Sequence, residues 1–430
     1  MSVIPAAYQG DGSAESDVIV PELISQPGIT LEALQELAME NNPSIKQVSA
    51  SASRAAGIQE QVGLKPNPRI GYFADEIGDN SSAGLHGAFI SQTFITGDKL
   101  AANRHVIGHD IESMMWQVET QRVRVLTDIR VRFFKALAAQ RRMKLAREFR
   151  VVAVKGLSVA KDRLEAEGTR PDVLQSEIQV SEVDLLIKRA EFEFAAVWKE
   201  LVAIAGVPDM APTTLVGELE MPRGSHDLES VYDQIVEESP LLQAAYQQVH
   251  RAQANFQRQR VQSRPNLTGQ LGVGYDDSTG DEFVNVQISI PLPVHNANQG
   301  NIRAAHAAYV EATQNVQRIK MQIRKDLARV MREYEVAKAT VTLYNLTILP
   351  KAKESQQLIT AAHTAGEFDF LRVLTARKIF FDVNLQYVTA LSDLATTNAQ
   401  IEGLLLSGGL SNVASYSGDD SLRGQALSGQ

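Results

Sequence analysis

The sequence predicts a mainly helical protein built from two structural repeats, each combining long coiled-coil helices with one short β-hairpin. Three observations lead to this fold class. The same landmarks recur about 197 residues apart, long stretches contain no proline, and the hydrophobic residues follow two distinct periods. Since each repeat has the same order of elements, the chain reads as a duplication.

Composition narrows the possible functions before any motif is considered. The 430 residues include 42 basic and 51 acidic side chains, and the net charge of −9 argues against a nucleic-acid partner. The chain has no cysteine, which excludes disulfides, thiolate zinc sites, cysteine nucleophiles and a lipid-acylated cysteine within this sequence. No stretch reaches the roughly 18 apolar residues of a transmembrane helix. The first residues lack a basic segment followed by an apolar one, so no signal peptide is visible. Two options remain: a cytosolic protein, or an exported protein whose signal is not part of this sequence.

The repeats are marked by matching pairs of residues. Leu31-Glu32 recurs as Leu228-Glu229, Pro43 as Pro240, Pro68 as Pro265 and Gly168 as Gly366. The predicted organisation is a flexible segment at 1–28, a first repeat at 29–206, a linker at 207–225, a second repeat at 226–408 and a disordered tail at 409–430.

Strands follow from alternation with a period of two. Val284, Val286, Ile288, Ile290 and Leu292 alternate with polar residues, and a polar loop precedes them. The predicted strands lie at about 69–77 and 85–95 in the first repeat and at about 267–275 and 283–292 in the second.

The long helices follow from a hydrophobic period near 3.6. They are predicted at about 98–167 and about 299–364, and a helix as long as the first would extend roughly 100 Å. A single globular domain has no need of such a length, so a coiled-coil assembly is expected.

The strands also suggest a membrane and an oligomer. Strands of about ten residues fit a tilted outer-membrane barrel. One chain supplies only four, whereas about eight are needed to close the smallest filled barrel. An open sheet in lipid would leave backbone groups unpaired at several kcal/mol each. Three chains would supply twelve strands and a lumen, so a trimer is the better fit.

This arrangement resembles the TolC-like outer membrane factors, the exit ducts of tripartite efflux pumps and type I secretion systems. The resemblance covers about 29–408. Three local strings are similar to the heavy-metal resistance–nodulation–division branch of that family: Lys65-Pro66-Asn67-Pro68, Ser91-Gln92 with Gly97-Asp98-Lys99, and Ile290-Pro291-Leu292-Pro293 followed by Asn298-Gln299-Gly300.

The resemblance implies a homotrimer with a twelve-stranded barrel in the outer membrane of a Gram-negative-type bacterium and a helical tunnel in the periplasm. It implies a passive channel, not an enzyme, with no cofactor. The implied partners are a periplasmic adaptor (membrane fusion) protein, an inner-membrane resistance–nodulation–division-type pump and outer-membrane lipid, and heavy-metal cations are a candidate cargo.

The resemblance also implies functions for the turns between each long helix and the helix that follows. These turns would form the periplasmic tip and contact the adaptor, through Gly168, Thr169, Arg170, Gly366, Glu367 and Phe368. The candidate residues of the entrance gate are Asp172, Glu177, Asp369 and Arg372. Arg372 stands where an acidic gate residue is expected, and Thr375 where a second acid is expected. These two departures argue against an acidic ring at this level, where Asp172 and Glu177 of the first repeat could still supply acidity.

Two further groups of residues invite a functional interpretation. Tyr72, Phe89, Tyr275 and Phe283 are candidate anchors at the lipid interfaces. His105 and His109 have the i, i+4 spacing of a metal chelate, but on the sequence alone they are interpreted as a solvated helix face, and no metal site is predicted.

Two alternatives remain open on the sequence alone. One is a soluble coiled-coil scaffold or adaptor without a membrane barrel. The other is an enzyme built on helical hairpins, although the sequence offers no nucleophile, phosphate loop or dinucleotide motif.

Overall fold

The computed structural model describes residues 28–78, 83–166, 170–219, 226–411, 413–418 and 420–428. The first repeat contains α1 (Leu31–Asn41), α2 (Pro43–Val62), β1 (Arg69–Asp75), β2 (Leu85–Phe94), α3 (Lys99–Ala166) and α4 (Arg170–Ala205). The second contains α5 (Leu228–Glu238), α6 (Pro240–Gln262), β3 (Leu267–Asp276), β4 (Asp281–Ser289), α7 (Gln299–Leu343), α8 (Leu349–Thr364) and α9 (Phe370–Glu402). A last helix, α10 (Ser421–Ser428), follows. Both repeats therefore have the same order of elements.

The helices begin where capping chemistry places them. Asn42 caps α2 by accepting hydrogen bonds from the backbone N–H groups of Ser44 and Ile45, and Pro43 occupies the first turn, where its missing N–H costs nothing. Thr30 caps α1 and Asp227 caps α5 in the same way. Local sequence thus sets the same helix starts in both halves, although Ser239 before α6 makes no side-chain cap hydrogen bond.

The long helices differ from each other. The 68 residues of α3 are continuous and extend about 100 Å. The corresponding helix of the second repeat, expected as one element, is divided into α7 and α8 by a π-helical turn at Tyr344–Ile348. Pro350 explains the division, because it has no N–H and its ring crowds the preceding turn.

The four strands form one antiparallel sheet in the order β1-β2-β3-β4. The strand predictions are close, but β4 ends at Ser289 and not near 292. The reason is that Pro291 and Pro293 cannot donate to a strand ladder. Among the described residues, no helix is long and apolar enough to cross a membrane.

Each repeat has its own hydrophobic core. Trp198, Phe133 and Leu34 belong to the first, and Tyr334, Leu242 and Leu394 to the second. A third cluster joins the repeats where Phe149 of α3 and Phe381 of α9 stack, with ring centroids 4.4 Å apart. The helical body is thus one packed unit built from two similar halves.

The prediction of a disordered tail is wrong for most of 409–430. Tyr416 and Ala426 are buried, and α10 lies against α2 and α3. The stabilising contacts come from residues far away in sequence, such as Arg258 and Asn266, so tail composition alone gave no sign of them.

Candidate functional site

The two faces of the sheet have different chemistry. Cross-strand pairs place Tyr72 opposite Ala88, Ala88 opposite Val273 and Val273 opposite Val284, so these residues share one face. Ile70, Ile90, Leu271, Val286 and Ile288 lie on the same face, and all are exposed. Water-exposed apolar surface of this extent is typical of an interaction with lipid or another protein.

The opposite face is polar and rich in glycine. It carries residues such as Ser91, Gln270, Asn285 and Gln287, which the same pairing places together. Alternation of an apolar and a polar face is the pattern of a strand between lipid and a water-filled lumen. The polar face therefore fits the inside of a barrel.

Three phenylalanines cover glycines on this polar face. Phe73, Gly87, Gly274 and Phe283 form one row across the four strands, and the rings of Phe73 and Phe283 are 6.0 Å apart. A Cβ atom added at Gly71 would lie 2.5 Å from the ring of Phe89. The glycines are needed because the rings lie directly on their backbone.

The pairing corrects part of the aromatic-anchor prediction. Tyr72 and Tyr275 lie on the apolar face, which fits the predicted place at a lipid interface. Phe89 and Phe283 lie on the polar face, opposite glycines, and cannot anchor the same lipid surface. Sequence reasoning grouped the four by residue type, because only the register fixes which positions share a face.

The second tip turn is tightly shaped by hydrogen bonds. Gly366 has φ +80°, a left-handed conformation that favours glycine. Asp369 caps α9 through the backbone N–H of Arg372 at 3.0 Å. His363 Nδ1 lies 2.8 Å from the carbonyl oxygen of Phe368. The turn residues Glu367 and Phe368 are therefore held on a defined scaffold.

Arg372 contacts an aromatic ring. Its guanidinium carbon lies 4.4 Å from the ring centroid of Phe368, a cation–π geometry. The Asp369 carboxylate is occupied with capping. The two residues thus organise the turn itself, and their place in a gate remains a prediction.

The first tip turn is described only in part. Gly168 and Thr169 lie outside the described residues, and Arg170 is the first residue of α4. Glu177 pairs with Lys161 across the α3–α4 hairpin at 3.6 Å, and Asp172 lies in the first turn of α4. Of the four gate candidates, Asp369 and Arg372 lie side by side at the start of α9.

A polar junction connects the sheet to the helices. Arg258 of α6 is almost fully buried and donates to Asn103 Oδ1 at 2.9 Å and to the Leu422 carbonyl of α10 at 3.0 Å. Lys99, at the start of α3, donates to Asn266 Oδ1 at 2.9 Å, and Asn266 donates to the Ala426 carbonyl at 2.7 Å.

Both cations of this junction are costly to bury. Burial lowers the pKa of Arg258 to about 10. Burial, and secondly the charge of Arg258, lowers the pKa of Lys99. The Leu422 carbonyl and the Gln425 side-chain oxygen of α10 accept from Arg258, and the Ala426 carbonyl accepts from Asn266. The tail helix therefore compensates buried positive charge where the sheet meets the helical body.

Comparison with known proteins agrees with this architecture. Residues 231–405 match the family model described as outer membrane efflux protein. The cobalt-zinc-cadmium resistance protein CzcC of Cupriavidus metallidurans is 23% identical over 402 residues, which cover 93% of this chain and 95% of that protein.

Solved structures share the fold. The structure of CusC has a TM-score of 0.71 at 14% identity, covering 93% of this chain and 99% of that one. The open state of the MtrE outer membrane channel of Neisseria gonorrhoeae has a TM-score of 0.69 at 15% identity, covering 90% and 91%. Together with the two-repeat fold and the two-faced sheet, these matches show that the chain shares the fold of solved outer-membrane channels and that its second repeat matches the outer membrane efflux protein model.

Proposed function

We propose that three copies of this chain form one passive duct, and that its cargo is heavy-metal cations. The observation that carries the trimer is the four-stranded sheet, whose outer strands β1 and β4 each have a neighbour on one side only within the described chain. In lipid those edges need partners, and β1 of one copy pairing with β4 of the next satisfies them. Twelve strands then enclose a lumen lined by the polar face.

The cargo proposal rests on similarity. The relative CzcC is named for resistance to cobalt, zinc and cadmium, and it aligns along almost the whole chain. The net charge of −9 is compatible with the passage of cations. Energy would come from an inner-membrane pump of the resistance–nodulation–division type, and a periplasmic adaptor would link that pump to the duct.

The adaptor contact and the gate would lie at the helix tips. The turn at Gly366 is exposed, and a Cβ atom built there meets no neighbouring atom, which leaves room for a partner. Opening would be an untwisting of the paired helices behind the turns, as a population shift that the adaptor favours. A soluble scaffold fits less well, because the exposed apolar face of the sheet would then be in water.

The test is replacement of the tip glycines. Gly366→Val forces a β-branched residue into a left-handed conformation, at a cost of about 1–2 kcal/mol, and reshapes the turn. Metal export by cells should fall several-fold, while the purified protein remains trimeric by size and symmetry in detergent. Gly168→Val is the companion change in the first turn.

The control is Ala365→Val, one residue earlier, where φ is −76° and valine fits without strain. Export should stay close to the wild-type level in this variant. If both glycine variants export normally, the tip is assigned wrongly. If the purified protein is a water-soluble monomer, the duct itself is wrong.

A further inference from the structure

Three histidines from both repeats meet in a groove between α3 and α6. His105 and His109 lie one turn apart on α3, with ring centroids 4.9 Å apart. His250 comes from α6, and its ring centroid lies 5.6 Å from that of His109. The groove has a volume of about 700 Å³. Nothing in the sequence joins His250 to the other two, since the fold alone brings them together.

The central histidine is held by its neighbours. His109 Nδ1 lies 3.3 Å from Gln247 Oε1 and 3.4 Å from Glu112 Oε2. When one imidazole nitrogen is engaged by an amide or a carboxylate, the ring is oriented and the other nitrogen is left for a ligand. Histidines that bind metals in proteins usually have such an outer partner.

The ring separations suit a shared ion. A zinc–nitrogen bond of about 2.0–2.1 Å in tetrahedral geometry places two imidazole centroids about 5 Å apart. The ring centroids of His105 and His109 are 4.9 Å apart and those of His109 and His250 are 5.6 Å apart, so both separations are close to that value.

In their present side-chain positions, the three histidines do not form a complete metal site. Across the described ranges, no three histidine or carboxylate side chains are arranged to hold a metal ion. His105 and His250 are exposed, however, so their rings can rotate toward His109 without repacking a core. Rings that must rotate give a weak site with fast release, which is what a conduit requires.

We propose that His105, His109 and His250 form a weak binding site for divalent transition-metal cations, at the level where the helices join the sheet. Imidazole ligands favour zinc, cobalt, nickel and copper over magnesium and calcium, which prefer oxygen. The proposal rests on the proposed metal cargo for its biological meaning, but the binding itself can be measured separately. The site would hold cations transiently beside the start of α3.

The test is titration of the purified full-length protein in detergent with Zn²⁺, by calorimetry. One site per chain is expected, and His109→Ala should weaken Zn²⁺ binding at least about tenfold because it removes the central ligand. His105→Ala and His250→Ala should each weaken it several-fold. The control His295→Ala changes an exposed histidine in the loop before α7 and should leave the affinity unchanged.

The result that overturns the site is equal Zn²⁺ affinity in the wild type and in His109→Ala, or equal binding of Mg²⁺ and Zn²⁺. An unchanged affinity in His250→Ala overturns the three-ligand arrangement. Export assays separate this proposal from the duct. Failure of Zn²⁺ binding with intact metal export refutes only the site, whereas normal binding with no metal export refutes the cargo.

Discussion

The two repeats share the positions of their helix caps, but the residues that end the last helix of each repeat are different. In the first repeat, α4 ends with Gly206 in a left-handed conformation, and the N–H of Val207 bonds to the Val202 carbonyl. In the second, Leu404 takes the left-handed position and Leu405 bonds to Gln400 in the same way. Duplication has thus kept this hydrogen bond and the left-handed residue before it, although Leu405 of the second repeat is left-handed as well.

The repeats also differ in the continuity of their long helices and in their polar contacts. The first has the unbroken α3, whereas the second has the π-helical turn before Pro350. The second alone supplies Arg258, whose counterpart at the repeat offset of 197 is Gln61. These differences indicate that the first repeat has the more regular long helix, whereas the second has the π-helical break and contributes Arg258 to the polar junction.

The largest effect is expected from Arg258→Met. The change leaves the buried Asn103 Oδ1 and the Gln425 side-chain oxygen without the Arg258 donor, whereas the Leu422 carbonyl keeps the Asn103 amide. We expect a loss of about 3 kcal/mol, because a buried unsatisfied group costs about 1–3 kcal/mol and two acceptors lose their donor. Thermal unfolding in detergent would measure the loss. Limited trypsin digestion would report release of α10, through cleavage after Arg423.

The matched control is Gln61→Met in the first repeat, which should change stability little. If Arg258→Met and Gln61→Met unfold alike and Arg423 stays protected, the tail helix does not depend on this junction, and the asymmetry between the repeats has been misassigned.

A smaller effect is expected from substitutions at the two left-handed residues that follow α4 and α9. Gly206→Ala places a Cβ atom 2.6 Å from the backbone of Asn41 and in a left-handed conformation, so a loss of about 2 kcal/mol is expected. Leu404→Gly relieves about 1 kcal/mol of strain but removes a partly buried side chain that packs on the second core, so it should be nearly neutral. The unfolding midpoints of the two variants measure this difference in stability. Equal losses would show that the two ends do not form the same motif under the same constraint.

Much of this skeleton could be predicted from the sequence, because its determinants are local. The Asn42-Pro43 cap, the glycine turn at Gly366 and the alternation in β4 depend on neighbours within a few residues. The repeat spacing then extends each observation to the other half.

What the sequence did not predict depends on distant contacts. The tail helix is held by Arg258 and Asn266, more than 150 residues away. The face on which Phe89 lies follows from the strand register. His250 meets His109 only because α6 packs along α3. A single sequence carries no local signal for any of these pairings.

The smallest effect is expected from Pro350→Ala, which makes the second repeat more like the first. Leu349 donates to the Tyr344 carbonyl in the π-helical turn, and an alanine at 350 restores the N–H that a continuous α-helix needs. The turn already accommodates the proline, so the gain in stability should be only about 1 kcal/mol, well below the roughly 3 kcal/mol cost of a proline in a regular helix. If the turn is the flexible point behind the tip, a straight helix should also resist opening and lower export, although the protein is more stable. A variant that is less stable, or equally active with a higher unfolding midpoint, would show that the break in the second long helix has no part in opening.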